Sequence, residues 1–250
     1  MSRALLSNSC TALVAGTLGC VTATRTARDR ARADLTRTIK ATARTQLAEV
    51  GADGLSLRAV ARELGMVSSA LYRYFPSRDS LLTALIVDAY DALGAAAEKA
   101  AAKESVAIQR WRAVCHAIRD WARAHPHEYA LIYGSPVPGY KAPQDTVAPA
   151  SRAAIALVDA VKAGWGAGVI RPVDSEPVLS DLLRDQVRRL GDDLAPGLPE
   201  AVLARTLVAW TQLFGMVGFE LFGQLVGSAD PADEFFAYAV EQMADLVGLS

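Results

Sequence analysis

The sequence predicts an all-α protein, with an N-terminal three-helix bundle followed by a larger helical domain. Apolar residues recur at steps of three and four through most of the chain, which is the spacing of one helix face. Alanine, leucine, arginine and valine dominate, and aromatic residues make up only 7%, a composition that favours helices. With 250 residues, 52% of them hydrophobic, the chain can bury a sizeable core in one large domain or two smaller ones.

Four helices are predicted before residue 104. The first becomes regular at about Thr36 and carries an apolar stripe from Leu35 to Val50. The fourth is long and runs from about Arg78 to Lys103. The residues that can cap or stop these helices are, in chain order, Gly51, Gly54, Ser56, Gly65, Ser68, Pro76 and Ser77.

The second and third helices are short and are predicted to form a helix-turn-helix, with Gly65 in the turn. Only Leu71 and Phe75 of the third helix are placed to face inward. A helix with so narrow an apolar face has to project from the bundle, so Ser69 and its neighbours face outward.

The rest of the chain is predicted to be nearly all helical. A loop is expected over residues 134–149, where prolines and glycines cluster, and a second break over residues 191–199. The predicted helices span residues 106–124, 151–165, 176–190, 202–222 and 235–247.

Charge is distributed unevenly along the chain. Between Arg25 and Arg78 there are eleven basic and five acidic residues, a local excess of +6, whereas the whole chain carries −1. The remainder therefore carries −7. A basic N-terminal segment on an acidic body indicates one module that faces a polyanion and one that does not.

The first 24 residues allow two interpretations. They loosely imitate an export signal with a lipid-anchor cysteine at Cys20, but Ser7 to Ser9 interrupt the apolar stretch and Thr17 to Gly19 form a poor cleavage site. A disordered tail over residues 1–30, or a gene start placed too far upstream, is the favoured interpretation, and an exported or lipid-anchored helical binding protein is the alternative. The remaining chain divides into a helix-turn-helix domain, residues 31–80, and a helical domain, residues 81–250.

Cysteine usage and hydropathy point to the cytoplasm. Cys10, Cys20 and Cys115 have neither metal nor redox spacing, which is typical of a reducing compartment. No apolar run reaches the roughly 18 residues that a membrane span needs, so no membrane partner is expected.

The third helix has the side chains expected of a helix that enters the major groove of DNA. Ser69 can exchange hydrogen bonds with a base edge, and the methyl group of Ala70 can touch a thymine methyl. Tyrosine hydroxyls and basic groups around it could reach phosphates, although each of these side chains could also merely pack or be solvated. The predicted DNA-binding residues are Arg37, Lys40, Ser56, Arg58, Ser68, Ser69, Ala70, Tyr72, Arg73, Tyr74 and Arg78.

The segment from Ser56 to Leu82 resembles the signature of TetR-family transcriptional regulators, and the resemblance covers about residues 35–85. The chain has Tyr74 where the family often has histidine, and Met66 where it often has glycine, which leaves Gly65 to make the turn. Weaker similarity in residues 125–134 and 210–215 points to one subgroup of TetR-like C-terminal domains.

This resemblance implies an all-helical homodimer that represses transcription by binding double-stranded operator DNA and is released by a small molecule. The last two helices carry apolar residues over more of their circumference than a monomer would hide, so they are expected to pair with a second copy in a four-helix bundle. The alternative is that both helices are buried within the monomer.

A small apolar or aromatic ligand is expected to bind in the C-terminal domain, because ligand pockets are mostly apolar with a few polar groups. Aromatic residues at helical spacing could equally belong to the core. The candidate pocket residues are Trp111, Trp121, Tyr129, Tyr133, Trp165, Trp210 and Phe214.

Enzyme and metal functions find no support in the sequence. The chain has no GxSxG, GxxxxGK[ST] or HExxH motif, and no GxGxxG that follows a strand. His116, His125 and His127 lack the spacing of a helical metal pair. No cofactor is therefore expected.

Overall fold

A computed structural model describes residues 15–171 and 177–249, with side chains from residue 26 onward. These residues form helices and connecting loops with no β-strand, which confirms the predicted all-α class. The ten α-helices of the described residues are α1 (Ala15–Val50), α2 (Leu57–Glu63), α3 (Ser68–Leu71), α4 (Arg78–Ala101), α5 (Ala107–Ala124), α6 (Pro126–Tyr133), α7 (Val147–Gly166), α8 (Asp181–Leu194), α9 (Glu200–Leu221) and α10 (Ala232–Val247).

The C-terminal half of α1, together with α2 and α3, forms a small bundle that we call the head. The hydroxyl of Ser56 accepts a hydrogen bond from the amide of Ala59 and so caps α2, as predicted. Gly65 adopts a φ of +64°, a left-handed conformation that lets the chain turn sharply into α3. Buried Leu71 and Phe75 then anchor α3 in the head.

Helix α4 contributes to two separate hydrophobic cores. Its first half places Leu81, Leu82 and Leu85 in the core of the head. Its second half places Ala89 and Leu93 in a larger core formed with α5, α7, α9 and α10, which we call the body. The α4 helix is therefore a continuous rod that is fixed at one end in the head and at the other in the body.

Close packing fixes α4 against α7. A Cβ atom at Gly94 would lie 2.5 Å from Cβ of Arg152, so only glycine fits at this contact. The Arg152 guanidinium donates to both carboxylate oxygens of Glu98, at 2.8 and 2.7 Å, and to Asp91 at 2.6 Å. This bidentate geometry holds the two helices in one register.

Several predicted boundaries differ from the structure. Helix α1 already begins at Ala15, so the expected boundary of the tail at residue 30 falls inside it; residues 1–14 lie outside the described residues. Ser68 was expected to cap α3, but it is the first helical residue, and Val67 before it makes no side-chain cap. Pro149 lies in the first turn of α7 instead of in the preceding loop, because amides of a first helical turn need no intrahelical partner.

Helices α6 and α8 also depart from the sequence-based boundaries. Sequence reasoning did not predict α6, which begins with Pro126 directly after the end of α5 at His125. Helix α8 begins at Asp181, later than predicted, and continues through Gly191 to Leu194, where a break was expected.

By length and composition alone, α4 and α9 could cross a membrane, although no helix of this kind was expected from the sequence. Core helices of globular proteins pass the same test. Both helices supply side chains to the buried clusters of the structure, α4 to the head and body and α9 to the body.

An ion cluster around the buried Arg119 connects α5 to α9 and α10. The Arg119 side chain is only 4% exposed, and its guanidinium donates to both carboxylate oxygens of Glu220 at 2.7 Å and to Asp233 at 2.7 Å. The Arg119 guanidinium holds the pKa of the Asp233 carboxyl below its usual value. Arg123, half exposed one turn later, reaches the same acids at 3.1 to 3.9 Å.

We expect Arg119→Ala to lower the free energy of unfolding by about 3 kcal/mol, because it leaves Glu220 without its close cation in a partly buried site. Arg123→Ala is the matched control and should cost less than about 1 kcal/mol, since exposed ion pairs contribute little. Urea unfolding followed by circular dichroism measures both. Equal losses for the two variants would contradict this assignment.

Candidate nucleic-acid interface and ligand cavity

The outer surface of α3 is formed by the small and polar side chains that the sequence predicted. Ser69, Tyr72 and Arg73 are exposed, and Ala70 is partly exposed, whereas Leu71 between them is fully buried. The tight turn at Gly65 is supported by a hydrogen bond from the Met66 amide to the Ala61 carbonyl at 2.8 Å. This arrangement presents a short helix whose small residues permit close approach of another molecule.

Arg32 is a part of this surface that sequence reasoning missed. Its guanidinium lies over the ring of Tyr74, 4.9 Å from the centroid, and donates to the carbonyl of Arg73 at 3.4 Å. The contact exists because α1 extends further toward the N-terminus than the apolar stripe indicated. Arg28, one turn earlier, is also exposed, so the extension of α1 adds basic side chains beside α3.

Lys40, a predicted phosphate contact, forms an ion pair within the protein. Its ammonium donates to Asp88 of α4 at 2.7 Å. Arg44 donates to the other oxygen of Asp88 at 2.6 Å and to Glu128 of α6 at 3.3 Å. We call these four residues the neck cluster, because they join α1 of the head to α4 and α6.

Arg78, another predicted phosphate contact, forms hydrogen bonds within the head. Its guanidinium donates to the carbonyls of Ala52 at 2.7 Å and Leu55 at 3.2 Å, so it stabilises the loop between α1 and α2. Ser56 is engaged as the cap of α2. Both side chains therefore shape the head from within, because unpaired carbonyls and amides at helix ends require partners.

The remaining predicted residues are distributed around α3. Arg37 is exposed on α1 and pairs with Asp34 one turn earlier. Arg58 is exposed at the start of α2, and Ser68 is partly exposed at the start of α3. The structure thus brings Ser69, Ala70, Tyr72 and Arg73 together on one surface and places Arg37 and Arg58 on other helices of the head.

A cavity of about 690 Å³ lies in the body, next to the head. Its volume falls within the range of small-molecule sites. The wall is contributed by α4, α6, the loop that follows α6, α7, α8 and α9. The residues that line the cavity include Ile86, Tyr90, Ile132, Tyr140, Thr206 and Trp210.

Of the seven candidate pocket residues, only Trp210 lines this cavity. Trp165 lies on the surface and is 44% exposed. The other five pack into the body, because aromatic surface is most effectively removed from water in the core. These are Trp111, Trp121, Tyr129, Tyr133 and Phe214.

Two of these core residues illustrate how completely they are engaged. The Trp111 indole donates to the Val240 carbonyl at 3.3 Å, and the Tyr129 hydroxyl donates to the Phe214 carbonyl at 2.7 Å. Burial raises the pKa of Tyr129 and Tyr133 above the ordinary tyrosine range, so both hydroxyls remain protonated.

Sequence reasoning missed the two tyrosines that do line the cavity. The Tyr90 hydroxyl donates to the Ile132 carbonyl at 3.2 Å, and burial raises the pKa of Tyr90. The Tyr140 hydroxyl pairs with Thr83 at 2.9 Å, which fastens the loop after α6 onto α4. Tyr140 lay in a segment identified only as a loop, and Tyr90 faces the cavity because α4 passes beside α6.

Residues 131–137 form a wall that two spaces share. On one side this wall lines the cavity, through Leu131 and the segment from Gly134 to Val137. On the other side the same residues line a groove against the C-terminal end of α1 and its following loop, including Leu47 and Asp53. The same segment therefore borders both the cavity and the groove beside the head.

Within residues 15–171 and 177–249 there is no cluster of three metal-ligating side chains. Cys115 is buried and unpaired, and burial raises the pKa of its thiol.

Comparison with known proteins gives concordant matches for both parts of the chain. A model of the bacterial regulatory proteins of the tetR family matches residues 39–85, and a model of the tetracyclin repressor-like C-terminal domain matches residues 111–243. An HTH-type transcriptional regulator of Mycobacterium tuberculosis H37Rv is 43% identical over 191 residues, which cover 72% of this chain and 78% of that relative.

Solved structures agree with these matches. A protein described as a regulatory protein, SCO4313, is 33% identical to this chain, and its crystal structure matches with a TM-score of 0.73. The match covers 87% of this chain and 98% of the SCO4313 chain. A protein of unknown function from Rhodococcus sp. RHA1 is 29% identical to this chain, and its structure matches with a TM-score of 0.65. The match covers 86% of this chain and 95% of the Rhodococcus chain.

Proposed function

Because the chain belongs to the TetR family of bacterial transcriptional regulators, we propose that it is a cytoplasmic repressor that binds operator DNA as a homodimer through α3. A small molecule in the body cavity releases it. The observation that carries this proposal is the projecting α3, anchored by Leu71 and Phe75 while Ser69 and Arg73 remain exposed. The family is one of regulators, not of enzymes.

The exposed side chains of α3 and of the turn that follows it divide into two roles. Ser69 and Ala70 are small and lie near the helix start, so they can approach base edges and supply sequence preference. Tyr72 and Arg73 can contact phosphates, which fixes the position of the head without encoding sequence. Arg32 holds Tyr74 and the backbone of Arg73, and thereby orients this phosphate-binding side.

A pair of heads requires a dimer, and α9 and α10 offer a surface for it. Large apolar side chains remain exposed on both helices: Phe219 is 57% exposed and Tyr238 is 62% exposed. Gly215 lies between Val208 and Phe219 on the same face of α9, and no atom lies within 4 Å of where its Cβ would be. Two copies could therefore bring their α9 helices close together in an isologous four-helix bundle.

Release by a ligand requires that the cavity and the head share two alternative states. We propose that α4 and the wall of residues 131–137 connect them. Ile86 both packs in the head core and lines the cavity, and the neck cluster ties the same segment of α4 to α1. A ligand that displaces α4 relative to α6 would shift the head through these contacts.

Arg73→Ala should weaken binding to every duplex and reduce the slope of log affinity against log salt by about 1, because one phosphate contact is lost. The measurement is fluorescence anisotropy on a duplex selected from a random library, at several salt concentrations. Arg188→Ala, an exposed arginine of α8 in the body, is the control and should leave the slope unchanged. A slope that is equally unaffected by both variants would argue against α3 as the DNA contact.

Ser69→Ala should affect DNA binding differently from Arg73→Ala, because we propose that Ser69 contacts base edges. It should change the ranking among single-base variants of the selected duplex, with changes of about 1 kcal/mol or more at one position. An equal loss of affinity for all of the duplex variants would exclude a role for Ser69 in base recognition. Anisotropy titrations against the set of variants distinguish the two results.

Phe219→Glu combined with Tyr238→Glu should convert the dimer to a monomer, because two charges would be buried at the proposed interface without partners. Sedimentation velocity gives the mass in solution. Val106→Glu alters an equally exposed apolar residue at the start of α5 and should leave the dimer intact. A double variant that remains dimeric would show that α9 and α10 do not form the interface.

A further inference from the structure

We propose that a ligand enters the body cavity beneath the loop of residues 134–146, which we call the cover loop, and that a hydrogen bond between Tyr140 and Thr83 gates this entrance. The inference rests on the proposed function, because it assigns a route to the molecule that would release the repressor. It follows from where the cavity wall meets solvent, from how the cover loop is attached and from which helix holds it.

The cover loop separates the cavity from solvent. Of the described residues that line the cavity, the exposed ones are Ser135, Pro136, Ala142 and Val147, and the others are buried or partly buried. The first three belong to the cover loop, and Val147 follows it directly as the first residue of α7. This is therefore the side from which a small molecule can reach the cavity with the least displacement of packed helices.

A single hydrogen bond fixes the cover loop to a distant part of the chain. Among the described residues, the bond between the hydroxyls of Tyr140 and Thr83, at 2.9 Å, is the one that joins this loop to an element other than the helices at its ends. The other hydrogen bonds of the loop are local, such as that from the Tyr140 amide to the Val137 carbonyl at 3.2 Å. A solvent-facing loop with so few attachments opens locally while the rest of the protein stays folded.

The attachment point lies at the head end of α4. Thr83 stands in the chain between Leu82 and Leu85, which are buried in the core of the head, and Thr83 itself does not line the cavity. Val137 and Tyr140 of the cover loop pack against the same core. The loop is therefore held closed from outside the cavity, by the helix that joins the head to the body.

The expected strength of this bond defines how a gate would behave. A net hydrogen bond within a protein shifts an equilibrium by about two- to tenfold, so its loss should raise the population of the open loop by that factor. Because the loop opens before a ligand enters and before it leaves, both rates should rise together and the affinity should stay the same. Loss of a group that contacts the ligand would instead change mainly the rate of dissociation.

Tyr140→Phe and Thr83→Val each remove one partner of the bond and keep the aromatic ring or the branched shape of the side chain. The probe is N-phenyl-1-naphthylamine, an uncharged fluorophore that brightens in apolar surroundings, and stopped-flow fluorescence on the full chain measures its association and dissociation rates. Each variant should raise both rates about two- to tenfold and leave Kd within about twofold. The double variant should be no faster than either single variant, because the two hydroxyls act through one bond.

Thr45→Val is the matched control. It removes a hydroxyl on the exposed face of α1, outside the cavity, that donates to the Ala41 carbonyl of the same helix. Neither rate of probe exchange should change in this variant.

A second readout needs no ligand. Lys141 follows Tyr140 directly and is exposed, so trypsin cuts the chain after Lys141 when the cover loop leaves its place. In the ligand-free full chain, mass spectrometry should show this cut about two- to tenfold faster in Tyr140→Phe and in Thr83→Val, and unchanged in Thr45→Val.

The gate is overturned if the two variants leave either probe exchange or the cut after Lys141 unchanged. An effect of Tyr140→Phe on dissociation alone, without the same effect of Thr83→Val, also overturns it, since Tyr140 would then contact the probe itself. If one variant fails to fold, the other decides, because either one breaks the bond. A chain that does not bind the probe contradicts the proposed ligand cavity and the gate with it, whereas DNA binding is tested separately by the salt-dependent titrations.

Discussion

The organisation of this protein depends on one constraint: α4 belongs to two cores at once. Its first half is packed with α1, α2 and α3, and its second half with α5 and α7. Because packed cores are dense and resist continuous deformation, a shift of this rod in one core must be accommodated in the other. The neck cluster reinforces the constraint, since Asp88 of α4 is held by both Lys40 and Arg44 of α1.

This constraint explains why the cavity lies where it does. A ligand pocket deep among α5, α9 and α10 would be separated from the head by the body core. The cavity observed is instead bounded by Ile86 of α4 and by the wall of residues 131–137, both of which also contact the head. Regulation then needs no long pathway, because the same side chains border the cavity and the DNA-reading bundle.

Much of the fold could be predicted from the sequence because it depends on local rules. Helix periodicity, the cap at Ser56 and the turn at Gly65 are each determined by residues that lie close together in the sequence. The exposed side of α3 follows from its narrow apolar face. The identity of the head as a DNA-reading unit followed from the same short segment.

The hydrogen-bond partners of long side chains and the residues that line the cavity depend on contacts between residues that are far apart in the sequence. Lys40 and Arg78 are predicted to contact phosphates because they are basic and near α3. The sequence does not reveal their partners within the protein, Asp88 and the carbonyl of Ala52, which are set by the packing of helices. Most candidate aromatic residues lie in the core, while Tyr90 and Tyr140 line the cavity because α4 pairs with α6 at Ile132 and with the loop after α6 at Tyr140. Spacing within one helix does not reveal such pairings.

The most direct test of the central claim is amide hydrogen exchange of the full chain, free and bound to its selected duplex. Coupling between two sites is reciprocal, so if occupation of the cavity alters DNA binding, then DNA must alter the cavity wall. We expect DNA to slow exchange in α3 and also in residues 131–137 and the segment of α4 around Asp88. Protection confined to the helices of the head, with the wall unchanged, would contradict the claim that α4 and this wall connect the two sites.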